Sequence, residues 1–176
     1  KDGVLDANRA LFDRLRSQFR TKLDDSENSP GWKFAEYEMK GVPIRIEMGP
    51  RDIEAGQCVL VTRHNLEKTV VPLENIENTI LQKLSEVRDG MYEKALQNRE
   101  RRTHACTSIE QIQECQAKED GFIKAMWCGD EACEDRVKEL TGVGSRCIPF
   151  EQEHLSDTCV CCGKPAKYML YWGVAY

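Results

Sequence analysis

Nine cysteines in a chain of 176 residues constrain the fold more than any other feature of the sequence. Two pairs stand out. Cys128-Gly-Asp-Glu-Ala-Cys133 sets two thiols across a Gly-Asp turn and the start of a helix. Cys159-Val-Cys-Cys162-Gly-Lys-Pro forms a knuckle, a tight turn whose backbone amides can point at sulfur. Two such pairs can close on each other as a tetrahedral four-thiolate site, the arrangement zinc prefers in structural centres. The neighbours Cys161 and Cys162 leave the fourth ligand open between them, and the Cys-x-x-Cys-Gly spacing favours Cys162. Four sulfur ligands leave no open position for water, which argues against a deaminating or editing zinc enzyme. Cys58 reads as a small core residue on a strand. Cys147 reads as a packed residue, close enough in sequence to be a reserve ligand, and Cys106 and Cys115 as surface thiols.

The odd cysteine count argues against a secreted disulfide framework, as does the start Lys1-Asp2-Gly3-Val4-Leu5-Asp6, which no apolar segment follows. Reduced thiols with some metal binding in a cytoplasmic setting fit better. Hydrophobic residues make up 40% and charged residues 31%, the balance of a folded globular chain. No apolar run reaches the ~18 residues a membrane span needs. A formal charge of −5 disfavours nonspecific coating of nucleic acid. It leaves room for reading a few exposed bases by local contacts.

Hydrophobic spacing predicts a helix over 4–18 and a short strand over 19–23. Ser29-Pro30 is a helix start, with Ser as cap and Pro at the first helical position. That helix runs through Trp32, Phe34, Tyr37 and Met39 and stops at Gly41. A strand over 42–48 turns Val42, Ile44, Ile46 and Met48 inward, and Gly49-Pro50-Arg51-Asp52 breaks it. Strands at 57–63 and 68–71 flank a turn. The strongest helical pattern starts at Pro72, with Leu73, Ile76, Ile80, Leu84, Val87, Met91 and Ala95 at steps of three and four. Beyond it come a capped helix from Ser108 to Lys118, a strand at 122–127 and a helix at 130–140 closed by Gly142. Strands at 146–150 and 168–175 complete the reading. The organisation expected is an α/β domain over 1–72, a connecting helix over 73–102, and a small α+β domain over 103–176. His64, His104 and His154 sit in polar turns or linkers, and no catalytic constellation or phosphate-cradling loop is present.

The stretch from Ser29 to Asp52, SPGWKFAEYEMKGVPIRIEMGPRD, resembles the anticodon-binding domain of class II prolyl-tRNA synthetases. Trp127-Cys-Gly-Asp, Ser145-Arg-Cys-Ile-Pro-Phe150, Cys-Val-Cys-Cys-Gly-Lys-Pro-Ala166 and a final Tyr176 are similar to the zinc-binding C-terminal domain of the eukaryotic and archaeal type. The resemblance covers nearly the whole chain. It implies an α/β anticodon-binding domain, with a mixed sheet, flanking helices and its first strand lacking, followed by a small α+β zinc-binding domain. It also implies recognition of tRNA-Pro through Phe34, Glu38, Arg45, Arg51, Asp52 and Lys68, and a structural zinc ion on Cys128, Cys133, Cys159 and Cys162.

Chemistry gives these positions independent sense. Unpaired bases are read by stacking and by hydrogen bonds to their edges. Phe34 offers a ring, and Glu38, one helical turn on, offers an acceptor for guanine N–H groups. Arg45, Arg51 and Lys68 supply donors and positive charge. The resemblance further implies a preceding catalytic core that binds ATP, Mg2+ and proline, which nothing here supplies. The segment alone is therefore expected to be inactive, in a parent enzyme that is a homodimer. Tyr176 is expected near that catalytic domain. The rival readings are a non-catalytic zinc-containing module that binds another protein, and a thiol redox protein.

Overall fold

The first helix, α1 (Val4–Leu15), buries Leu11 and Leu15. The chain beyond it, expected as a strand at 19–23, joins no sheet; Phe19 instead packs against the core from irregular backbone. Residues 3–175 are described by the computed structural model.

Ser29 caps α2 (Pro30–Met39), its hydroxyl accepting from the Trp32 N–H at 3.4 Å. The helix ends where Gly41 takes φ 77°, a left-handed turn that favours glycine. There the Gly41 and Val42 N–H groups donate to the Glu38 and Tyr37 carbonyls at 3.1 and 3.0 Å. None of the α2 side chains is fully buried, and Met39 is 86% exposed. This helix lies on the surface with its aromatic residues accessible.

Three strands form an antiparallel meander in the order β1 (Ile44–Glu47), β2 (Gln57–Thr62), β3 (Lys68–Pro72). Alternation splits the sheet into two faces. Ile44, Ile46, Cys58, Leu60 and Val71 face the core with Leu11, Leu15, Ile76 and Ile80. Arg45, Val61 and Lys68 align across the other face, and Glu47, Val59 and Val70 form the next row. Val42, expected inward, is 37% exposed because it lies in the turn after α2, before pairing begins. The Gly-Pro-Arg-Asp break folds as a short helix, α3 (Pro50–Glu54).

A 3-10 turn (Leu73–Asn75) leads into α4 (Ile76–Arg101), which buries Ile76, Ile80 and Val87. Met91, expected on the same apolar face, is 44% exposed. The chain divides into two compact units, Lys1–Glu93 and Lys94–Tyr176.

In the second unit, β4 (Thr103–Ala105), α5 (Ile109–Lys118) and β5 (Phe122–Trp127) form a parallel crossover. Ser108 and Gly142 bracket α5 and α6 (Glu131–Thr141) as expected. The sheet runs β4-β5-β7-β6, with β6 (Gly144–Cys147) and β7 (Tyr168–Gly173) antiparallel to their neighbours. β6 starts before the expected 146–150, and Ile148 to Phe150 lie beyond its pairing, with Phe150 fully exposed. Trp172, completely buried, packs with Ile112, Ile123, Val137, Val143 and Leu170. No helix among the described residues is long and apolar enough to cross a membrane. Replacing Trp172 with Ala is expected to destabilise the second unit by about 3–5 kcal/mol, read as a lower denaturant midpoint.

Candidate nucleic-acid interface and metal centre

The polar row of the first sheet meets α2 around Arg45. Its guanidinium lies over the Phe34 ring, 3.9 Å from the centroid. Arg45 Nη1 donates to Glu38 Oε1 at 2.6 Å and Nε to Glu47 Oε1 at 3.0 Å. Glu47 Oε2 also faces Lys68 Nζ at 3.5 Å. The Arg45 side chain is 16% exposed, so this is a largely desolvated ion network; Glu38, at 39%, keeps contact with solvent. Four of the six expected RNA-contact residues, Phe34, Glu38, Arg45 and Lys68, thus share one face. The Phe34 face expected to stack a base carries Arg45 instead, and a base can stack on the guanidinium plane in turn.

Arg51 and Asp52 sit on α3, and among the described residues no hydrogen bond or ion pair joins them to that cluster. Arg51 is exposed. Asp52 Oδ2 accepts from the Gly49 N–H at 2.9 Å and closes the first turn of α3. Glu47 was not singled out from the sequence, although its place two residues after Arg45 on a strand puts both on one face. Beside Glu38, a groove is lined by Tyr37, Val42, Arg45, Val61, Thr62, Arg63 and Leu66. Arg63 and Leu66 carry no sequence signal for such a role.

The second unit gathers its sulfurs as expected. The Sγ atoms of Cys128, Cys133, Cys159 and Cys162 all lie within 4.8 Å of one another. Cys128 follows β5, and Cys133 sits in the first turn of α6 behind Asp130, whose Oδ1 accepts from the Ala132 N–H at 3.1 Å. The knuckle is closed by hydrogen bonds from the Cys159 N–H to the Lys164 carbonyl and from the Gly163 N–H to the Cys159 carbonyl. Gly163 takes φ 70°, which a side chain would strain. Two further bonds, Val160 N–H to the Met126 carbonyl and Lys167 N–H to the Trp127 carbonyl, tie the knuckle to β5.

Sulfurs on a tetrahedral thiolate site lie about 3.8 Å apart for metal–sulfur bonds near 2.3 Å. Cys162 Sγ and Cys128 Sγ are 3.8 Å apart, so the set fits a metal ion. A backbone hydrogen bond from Lys164 holds the Cys162 thiol down at about 7, the direction a ligand needs. Burial pushes Cys128 and Cys133 upward. Cys161 is not one of the four and packs against both the hydrophobic core and the buried cysteines.

Of the remaining thiols, Cys58 meets expectation, while Cys147 and Cys106 do not. Cys58 is fully buried as a core residue, while Cys147 is exposed at the end of β6. Cys106, expected at the surface, is 1% exposed and lies 3.8 Å from Cys115, which is itself half-buried. Burial pushes the Cys106 thiol up to about 12. His64 is also less solvated than expected: its ring packs against Gly90 of α4, where an added Cβ would meet it at 2.6 Å. Tyr176 lies outside the described residues.

The first unit thus carries a charged face of carboxylates and guanidinium, and the second gathers four cysteines. Residues 1–83 match the family described as "Anticodon binding domain", and residues 109–176 match "Prolyl-tRNA synthetase, C-terminal". Over all 176 residues the chain is 53% identical to the Proline–tRNA ligase of Clostridium botulinum (strain Okra / Type B1). It is 52% identical to the same-named proteins of Ruminiclostridium cellulolyticum and Lachnoclostridium phytofermentans. Over its whole length the chain is thus similar to proline–tRNA ligases, and its second unit to the part described as their C-terminal one. It spans 37% of the length of these curated relatives.

Because Asp52 accepts from the N–H of Gly49, the residue that caps α3, Asp52→Ala is expected to lower the stability of the first unit by about 1 kcal/mol. Urea unfolding of the whole chain checks this.

Proposed function

We propose that the first unit reads the anticodon of tRNA-Pro and that one structural zinc ion holds the second unit together. The observation that carries the first part is the Glu38–Arg45 pair over Phe34, on an exposed face of a chain that matches an anticodon binding domain. Proline anticodons share two guanines. Guanine offers N1–H and N2–H donors on its pairing edge and O6 and N7 as acceptors. A carboxylate beside a guanidinium offers the complementary set. Glu38 Oε1 takes the Arg45 hydrogen bond, which leaves Oε2 for a guanine N–H. Arg45 is anchored on its other edge by Glu47, so it stays oriented when a base competes for Glu38.

Arg51 and Lys68 are assigned to phosphates, as point charges at the margins of the face. Asp52 shapes the α3 turn that presents Arg51. The chemistry of the whole enzyme, ATP- and Mg2+-dependent activation of proline and its transfer to tRNA-Pro, belongs to the part of the relatives that lies beyond this chain. The partners that follow are tRNA-Pro, a catalytic domain of the same enzyme and a second copy of that enzyme, working in the cytoplasm.

Zinc is favoured for the metal centre because four thiolates within 4.8 Å suit its tetrahedral sulfur shell. When bound, the ion cross-links the β5–α6 turn to the knuckle and performs no reaction. The Cys128, Cys133, Cys159 and Cys162 side chains would hold it.

Two outcomes test this reading. Purified protein is expected to carry about one zinc per chain; Cys133→Ser should abolish it, and chelation should lower the thermal midpoint of the second unit. Iron in place of zinc, or no metal with unchanged stability, would refute that assignment. In the complete enzyme, Glu38→Ala should weaken discrimination between guanine and adenine at the anticodon by about 1–3 kcal/mol, measured as the ratio of kcat/KM values for the two tRNAs. Equal ratios before and after the substitution would remove Glu38 from the interface.

A further inference from the structure

Apart from the four clustered sulfurs, the second unit brings two more thiols into contact. Cys106 Sγ and Cys115 Sγ lie 3.8 Å apart. Both are positioned by regular backbone. Cys106 directly follows β4, and its N–H donates to the Lys124 carbonyl of β5 at 2.9 Å. Cys115 lies on α5, on the face that Ile109 and the fully buried Ile112 turn to the core. The connection between the two elements is equally fixed. Ser108 Oγ accepts from the Gln111 N–H at 3.3 Å, and Gln111 Oε1 accepts from the Thr107 N–H at 2.8 Å.

The two thiols differ in environment. Cys106 is buried, and its burial, together with the contact to Cys115, keeps it protonated. Cys115 is only half-buried, with part of its surface open to solvent. A disulfide requires the sulfurs to close to about 2.05 Å, which rotation about the side-chain bonds of two cysteines already in contact can supply. By contrast, Cys58 is enclosed in the core of the first unit, Cys147 is exposed at the end of β6, and the metal centre groups Cys128, Cys133, Cys159 and Cys162.

We propose that Cys106 and Cys115 are an oxidative modification site, which closes as a reversible intrachain disulfide when the protein meets a peroxide. The Cys115 thiolate attacks one peroxide oxygen, and the O–O bond breaks. With hydrogen peroxide the products are the Cys115 sulfenic acid and hydroxide, which takes up the proton that the thiol released. The Cys106 sulfur then attacks the sulfenic sulfur. The S–O bond breaks, and the Cys106 proton leaves with that oxygen as water. In all, two thiols and one hydrogen peroxide give one disulfide and two waters. A small-molecule dithiol returns both cysteines to thiols and is itself oxidised to a disulfide. The bond staples the end of β4 to α5, within the crossover that leads to β5. A cross-link of this kind restricts the unfolded chain, so the oxidised form is the more stable one.

The test treats the 176-residue chain with hydrogen peroxide and blocks the remaining thiols with an alkylating agent as the chain is denatured. Trypsin then releases Thr103–Lys118, a peptide that carries Cys106 and Cys115 and no other cysteine, so the readout is independent of the metal centre. Most of this peptide is expected without alkyl groups and lighter by two hydrogen atoms. Dithiothreitol added before blocking should restore both alkylation sites. The oxidised chain should melt about 5 °C above its own reduced form, a gain that Cys115→Ser should not show. Cys106→Ala should leave Cys115 as a sulfenic acid that reacts with dimedone. A peptide carrying both alkyl groups, under conditions that oxidise the exposed Cys147, overturns the proposal, as does bridging seen only after unfolding in urea. Conversion of Cys115 to the sulfinic acid with Cys106 still alkylated also overturns it, because the two sulfurs then do not meet in the folded chain.

Discussion

Arg45 is the residue on which the candidate interface depends. Its guanidinium lies 3.9 Å from the Phe34 ring centroid and is bonded on separate edges to Glu38 and Glu47. An ion this far from water is tolerated only if its hydrogen bonds are met, and removal of one partner leaves the other charges uncompensated. The network therefore orients everything around it. Phe34 lies beneath the guanidinium, Glu38 is held beside it, and Glu47 extends the set to Lys68 on β3. The strand register makes this possible, since Arg45, Val61 and Lys68 share one row and Glu47 lies in the next.

The second unit solves a different problem. Its sheet is short, its β6 strand is irregular, and the chain between β6 and β7 holds no regular element. Such a segment cannot bury enough apolar surface to order itself. Its order comes from backbone hydrogen bonds to β5 and from the convergence of four sulfurs. Cys128, Cys133 and Cys159 form a small buried cluster of their own, against which Trp127 and Cys161 pack. The metal site and the end of the strand thus share the same side chains.

Much of this was legible in the sequence, for identifiable reasons. The capped helices were readable because Ser29-Pro30, Ser108 and Gly142 are strong local signals, and local signals suffice for a helix end. The sulfur set was readable because ligand spacing is written along the chain. What escaped notice depends on tertiary context. The alternation at 19–23 suggested a strand, yet a strand needs a neighbour and none pairs with it. Val42 and Met91 continued apolar patterns past the point where the core ends. Cys106 was misread as a surface thiol because β4, whose parallel pairing with β5 precedes it, is only three residues long and has no periodicity to detect. The groove formed by Glu38, Arg63 and Leu66 joins a helix end to a hairpin turn, and no spacing rule connects those positions.

The charge of the face bears on how it would act. Glu38 and Glu47 offset Arg45 and Lys68, so the central patch is nearly neutral, within a chain of net charge −5. A surface that held RNA mainly by neutralising phosphates would need a surplus of cations, and its affinity would be sequence-blind and steeply salt-dependent. On the proposed reading, the Glu38 oxygen left free by Arg45 would act on a base over a few ångströms. Such contacts add little affinity for the wrong RNA, because an acidic protein repels it at long range. They add about 1–3 kcal/mol per correctly read base once the loop is engaged. A near-neutral patch with one well-placed carboxylate is therefore better suited to choosing among similar RNAs than to holding any of them tightly.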